Sequence, residues 1–312
     1  MINPIVIGIV AGLAACVLQA AILQPSPMTA LLFYLSPLPI FVAGLGWGVP
    51  AALTAAVTGG LLLLSLAGMA TSITFLASAG ATPTALVWLA LKNRQASGVS
   101  EEGEAESQGL QWYPEGRIVL WVAVIAACLT SAAILFMARD VETFRAQAAE
   151  LFNQIMAPRI ESLPDAEKQD FQEVVRVMVT ALPLIATGVW VAISFVNFRL
   201  ACAILSGLKM GLRPLASFGA MRFPRKAALF LPLAFAASFL PGNLGFVGSL
   251  FAAAALTAFA LLGIAVAHGL PGFRGRGAPS SLRRPGAPRH GAFAARPGRP
   301  AACQPNLIFK PE

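Results

Sequence analysis

The 312-residue chain is 57% hydrophobic and only 12% charged, with a mean hydropathy of +0.73. Soluble domains carry about 25% charged residues, so this composition excludes an ordinary water-soluble fold. The formal charge of +8 implies no acidic partner for the body of the protein: residues 268–312 hold eight Lys/Arg against the single acid Glu312, and the rest is nearly balanced.

No Lys, Arg, Asp, Glu or His occurs before Lys92. A charge at mid-bilayer costs about 2.5–3.5 kcal/mol on insertion scales, so an uncharged stretch of this length is what a lipid-embedded bundle requires. The expected fold class is all-α, a polytopic transmembrane helix bundle. With about 20 apolar residues per crossing, eight spans are expected, at 4–24, 28–46, 49–68, 71–91, 118–138, 177–198, 227–241 and 245–267. The first four form an uncharged membrane block over residues 1–92. It is divided at Gln24–Pro27, Trp47–Pro50 and Gly68–Ser72, where Pro, Gly and Ser punctuate the apolar runs.

Residues 93–117 read as a flexible linker, because the Gly, Ser and Glu of 95–112 leave too little apolar surface to fold. A second membrane block covers 118–267. Within it, residues 139–176 predict a helical hairpin at the membrane surface: Phe144, Leu151, Phe152 and Ile155 recur at helical spacing, and Ser162 with Asp165 suggests the cap of a second helix. Such a hairpin is either a lid over an outward-opening site or a structured loop. Residues 268–312, rich in Arg, Pro and Gly, read as a disordered basic tail.

Orientation follows the Lys/Arg bias of short loops. Residues 199–226 carry six basic residues and no acid, which places that loop in the cytoplasm and both termini inside. Residues 139–176, with five basic residues against eight acidic, then face outward. The expected topology therefore has both termini on the cytoplasmic side of the membrane.

Chemistry-bearing motifs are sparse. There is no P-loop, no GxSxG and no HExxH. None of the expected spans contains Asp or Glu, which argues against a proton relay. Asp165, Glu167, Asp170 and Glu173 read as a solvated helix face. The four cysteines, Cys16, Cys128, Cys202 and Cys303, are too dispersed for a disulfide framework or a zinc site. No catalytic residue, metal or cofactor is expected, and the chain is read as not being an enzyme.

Polar residues and breaks within spans remain. Gln19 and Gln24 lie in the first, Ser36 and Pro37 in the "SPLP" of the second, Asn197 at the end of the sixth, and Asn243 after the seventh. Broken membrane helices often line transport sites, so Gln19, Ser36, Pro37, Asn197, Arg199 and Asn243 are the candidate substrate-binding residues. Packing geometry is the alternative for each break. Arg199 either snorkels to the inner interface or lies deeper and pairs with a partner. "GIVAG" (8–12) and "GLGWG" (44–48) place small residues four apart, a pattern for close helix packing.

Four stretches, "LSPLPIFVAGLGWGVPAALTAAVTGG" (35–60), "WYPEGRIVLWVAVIAA" (112–127), "NFRLACAILSGLKMGLRP" (197–214) and "LLGIAVAH" (261–268), resemble domain of unknown function 2232, an uncharacterised bacterial family of multi-pass membrane proteins that is also called YybS-like. The alphaproteobacterial branch is the most similar. The resemblance covers about residues 1–268. It implies a fold similar to the vitamin-binding membrane subunits of energy-coupling-factor transporters, and hence a substrate-binding or transport-related subunit with membrane or ATPase partners and a small-molecule ligand. It carries over no binding residue. A structural or envelope-assembly role is the second reading. A tail-borne binder of lipid or nucleic acid is the third, and nucleic acid is not an expected partner. The resemblance also implies that apolar helix continues where this chain turns to Arg, Pro and Gly, so a reading-frame change near His268 is the expected origin of the tail.

Overall fold

A computed structural model describes residues 3–21, 26–95, 110–161 and 164–269. Gln24, Ser162, most of the linker and the basic tail therefore lie outside the described residues. Among the described residues, five helices are long and apolar enough to cross a membrane.

Helix α1 (Pro4–Ala20) is capped by Asn3, whose side chain accepts from Ile5 N. It runs parallel to α4 (Val49–Phe75) in very close contact. A Cβ at Gly8 would sit 2.6 Å from Thr54 Cβ, and one at Gly12 would sit 2.5 Å from the Ala55 carbonyl, so the first small-residue pair works as packing. The second pair divides its roles. Gly44 packs on Val87, whereas Gly48, at φ +96°, makes the turn into α4.

The second span is broken into α2 (Pro27–Tyr34) and α3 (Leu38–Trp47). The stretch from Val49 onward reads as one 42-residue helical run but reverses at Gly68. That residue has φ 82° and ψ 176°, a conformation essentially restricted to glycine. A hydrogen bond shows the reversal. Residues 60 and 72 of a straight helix stand about 18 Å apart, yet Ser72 Oγ donates to the Gly60 carbonyl at 2.7 Å. The expected cut at Gly68–Ser72 is thus a tight helical hairpin. Its returning arm passes through a π-turn at Leu76–Ala81 into α5 (Thr82–Ala90).

Strands β1 (Asn93–Gln95) and β2 (Leu110–Trp112) pair antiparallel, and α6 (Glu115–Ala138) begins directly after them. The expectation of a flexible linker over 93–117 is corrected at both ends, because backbone pairing and the start of a helix fix them. Helix α7 (Val141–Glu161) and α8 (Asp165–Gly207) form the expected hairpin, joined by the Phe152–Phe171 ring contact. Asp140 caps α7 by accepting from Thr143 N at 2.8 Å. Pro164, not Ser162, stands at the cap of α8. The outer arm and the sixth span prove to be one 43-residue helix. At about 65 Å it is roughly twice the depth of a bilayer core.

The expected seventh span, 227–241, is corrected. Helix α9 (Phe230–Ala237) has eight residues, too few to cross a core of about 30 Å. Residues 218–240 instead run antiparallel along the whole of α10 (Gly242–Gly269), as 3-10 turns, extended chain and α9 in sequence. Phe218 meets His268, Phe223 meets Phe259 and Phe230 meets Phe251. Pro224 and Pro232 explain why this stretch is not one helix: each removes a backbone donor.

The main core joins α1, α3, α4, α5, α6, α8 and α10 through residues such as Phe41, Phe75, Phe195, Phe198 and Leu250's neighbour Ala254. A smaller cluster of Ile134, Val141, Phe246 and Leu250 closes the end that carries the α7–α8 hairpin.

Candidate functional site

The six candidate residues fall in three places. Gln19, Ser36, Pro37 and Asn197 meet at the break between α2 and α3. Pro37 has no N–H and Leu38 N donates to Leu35 O at 2.9 Å. Neither therefore serves the Tyr34 carbonyl, and Asn197 Nδ2 donates to it at 2.9 Å. Ser36 Oγ donates to Gln19 Oε1 at 2.8 Å. All three polar side chains are buried. They largely serve one another and the backbone freed by proline, and the buried Asn197 Oδ1 has no hydrogen-bond partner among the described residues.

Asn243 stands at the opposite, hairpin end. Its Oδ1 accepts from Val141 N at 2.8 Å, tying the start of α7 to the first turn of α10. A cavity of about 240 Å³ lies beside it, lined by Arg145, Thr180, Ser238 and Ser249 among others.

Arg199 is in the third place. Its Nη1 donates to Glu115 Oε2 at 2.8 Å and to the Ala216 carbonyl at 2.7 Å. It is paired rather than snorkelling. Arg213 approaches the same carboxylate, Nη2 to Oε1 at 3.8 Å, while its Nη1 donates to the Ala90 carbonyl at 3.2 Å. The side chains of Glu115 and Arg213 are each only 4% exposed. The two guanidinium groups also lie near aromatic rings, Arg199 at 5.6 Å from Phe218 and Arg213 at 5.9 Å from Phe198, contacts that favour a desolvated cation. Two cations surround one carboxylate, and Glu115 Oε1 has no hydrogen-bond partner among the described residues.

Four chain segments build this cluster: the end of α5, the start of α6, the last third of α8 and the loop 208–224. Gly116 lets the loop approach, since a Cβ there would collide with the Arg222 carbonyl. A pocket of about 430 Å³ opens beside Glu115, with Arg94, Arg117, Arg213 and Arg222 on its walls together with Trp112 and Tyr113. Aromatic and basic residues ring this end of the bundle. Trp121 Nε1 donates to the Tyr113 hydroxyl, and Lys92 Nζ lies 3.5 Å above the Trp88 ring. Such belts mark the membrane–water interface.

A family model described as "Predicted membrane protein (DUF2232)" matches residues 13–270. The chain belongs to the DUF2232 family. No curated protein matches it, and no solved structure does. In this DUF2232 member the Glu115–Arg199–Arg213 cluster lies wholly within the matched region. Two of the stretches that carried the resemblance in sequence, 112–127 and 197–214, contain all three residues. Glu115 and Arg213 were not among the sequence candidates. The available signal was the "WYPEGR" turn, in which a lone acid sits at the start of an apolar helix.

Proposed function

We propose that this chain is a non-enzymatic, small-molecule-binding and transport-related subunit of the bacterial inner membrane, with its ligand seated in the pocket beside Glu115. The single observation behind this reading is the pocket itself. Its volume of about 430 Å³ falls in the range of ligand sites, about 300–1,000 Å³, and four arginines against one carboxylate select an anion. The Lys/Arg bias puts this end in the cytoplasm, where a soluble partner such as an ATPase subunit has access.

The test is a thermal-unfolding screen of the detergent-purified full chain against anionic, neutral and cationic metabolites. A ligand present at about 100 times its Kd stabilises by about 2.7 kcal/mol, a shift of several degrees. Stabilisation confined to anions supports the proposal. No shift with any ligand overturns it and leaves the second reading, an envelope-assembly protein. That reading is favoured by the α7–α8 hairpin, which exposes Leu151, Ile155, Val174 and Val177.

A further inference from the structure

The pocket beside Glu115 has features that narrow its ligand further than charge alone. Its four arginines come from three segments: Arg94 from β1, Arg117 from the first turn of α6, and Arg213 and Arg222 from the loop 208–224. Several arginines lining one pocket suit an anion with several oxygens. A monocarboxylate offers two oxygens and one charge, whereas a phosphate group offers three or four oxygens and up to two charges. The α6 N-terminus adds to this. The first N–H groups of a helix lack intrahelical acceptors and carry a partial positive charge, and Glu115 and Gly116 at this terminus line the pocket. Glu115 Oε1 is a buried acceptor without a donor. It calls for a ligand hydroxyl next to the anionic group, either the P–OH of a phosphate monoanion or a headgroup alcohol. Finally, the pocket lies at the level of the Trp88, Tyr113 and Trp121 belt, where lipid phosphates reside.

We propose that this pocket is a phosphate-recognition site, which takes a phosphate group with an adjacent hydroxyl, carried either by a phospholipid headgroup or by a soluble phosphorylated molecule. The inference rests on the reading of the pocket as the ligand site. Arg117 and Arg222 contact the phosphate from the open side, Arg213 supplies charge from the buried side, and Glu115 accepts from the hydroxyl.

The experiment uses full-length protein and thermal unfolding. One arm titrates inorganic phosphate against chloride at matched ionic strength. A second reconstitutes the protein in phosphatidylcholine vesicles with or without phosphatidylglycerol. A third titrates succinate. Each arm is run on the wild type and on the double variant Arg117→Gln/Arg222→Gln, whose side chains are not buried. Loss of two charge-assisted contacts is expected to weaken phosphate binding by about tenfold or more. Arg222→Lys, which keeps charge but loses the fork, is expected to fall between, and it serves if the double variant does not fold. Stabilisation by inorganic phosphate identifies a soluble ligand, and stabilisation by phosphatidylglycerol alone identifies the lipid. Either, if lost in the variant, supports the proposal. A response to succinate without a response to either phosphate source overturns the phosphate assignment and leaves the ligand-site reading standing. No response in any arm overturns both. A phosphate response unchanged in the variants places binding elsewhere and overturns the assignment to this pocket.

Discussion

The bundle buries two polar clusters, and they differ in charge. At the α2–α3 break, Asn197 serves the carbonyl that Pro37 orphaned and Ser36 serves Gln19. The cluster is neutral, and the oxygen it leaves without a partner, Asn197 Oδ1, belongs to an uncharged amide. At the Glu115 end, two arginines converge on one carboxylate, further arginines line the adjoining pocket, and a carboxylate oxygen remains without a donor. The first cluster repairs a helix. The second gathers more arginines than carboxylates. Intramembrane polarity alone therefore does not mark a site. An excess of charge of one sign beside a pocket is the better sign.

Substitutions can break or sharpen this contrast. The largest effect is expected from Glu115→Gln, which keeps shape but leaves Arg213 buried without its counter-charge. Removing one partner of a buried ion pair costs about 3–5 kcal/mol, so the melting temperature in detergent should fall sharply. A drop no larger than that of Ser36→Ala would mean that the carboxylate is solvated. Asn197→Ala comes next. It orphans the Tyr34 carbonyl and is expected to cost about 1–2 kcal/mol, with no change in ligand response. Ser36→Ala removes one interhelical hydrogen bond, at about 0.6 kcal/mol. The smallest stability effect belongs to Arg222→Gln, an exposed residue, within about 0.5 kcal/mol. That same variant is expected to lose most of the response to phosphate, as read by the titration shift.

The bundle was legible because lipid imposes length and apolarity on each crossing. The reversal at Gly68 was legible too, since a glycine among Met, Ala, Thr and Ser interrupts an otherwise unbroken apolar run. The crossing by residues 218–240 was not. Its part 227–241 reads in sequence as a span, but only Phe230–Ala237 within it is α-helix, and the rest packs along α10 as 3-10 turns and extended chain. Glu115 was hidden by its surroundings: it follows a linker with four other glutamates and reads as the last of them. Its partner Arg199 is 84 residues away, and no local pattern announces a pairing of that range. Gln19, Ser36 and Asn197 were legible as unusual residues in apolar segments. Their mutual use was not, because it depends on which carbonyl the proline leaves open.

The most direct measurement is the phosphate-induced shift in melting temperature, compared between Ser36→Ala and Arg117→Gln/Arg222→Gln. Ser36→Ala is expected to melt lower than wild type and keep the full shift, whereas the double arginine variant melts near wild type and loses it. The reverse pattern, with the shift lost at the helix break and retained without the two arginines, would exclude the Glu115 pocket as the binding site.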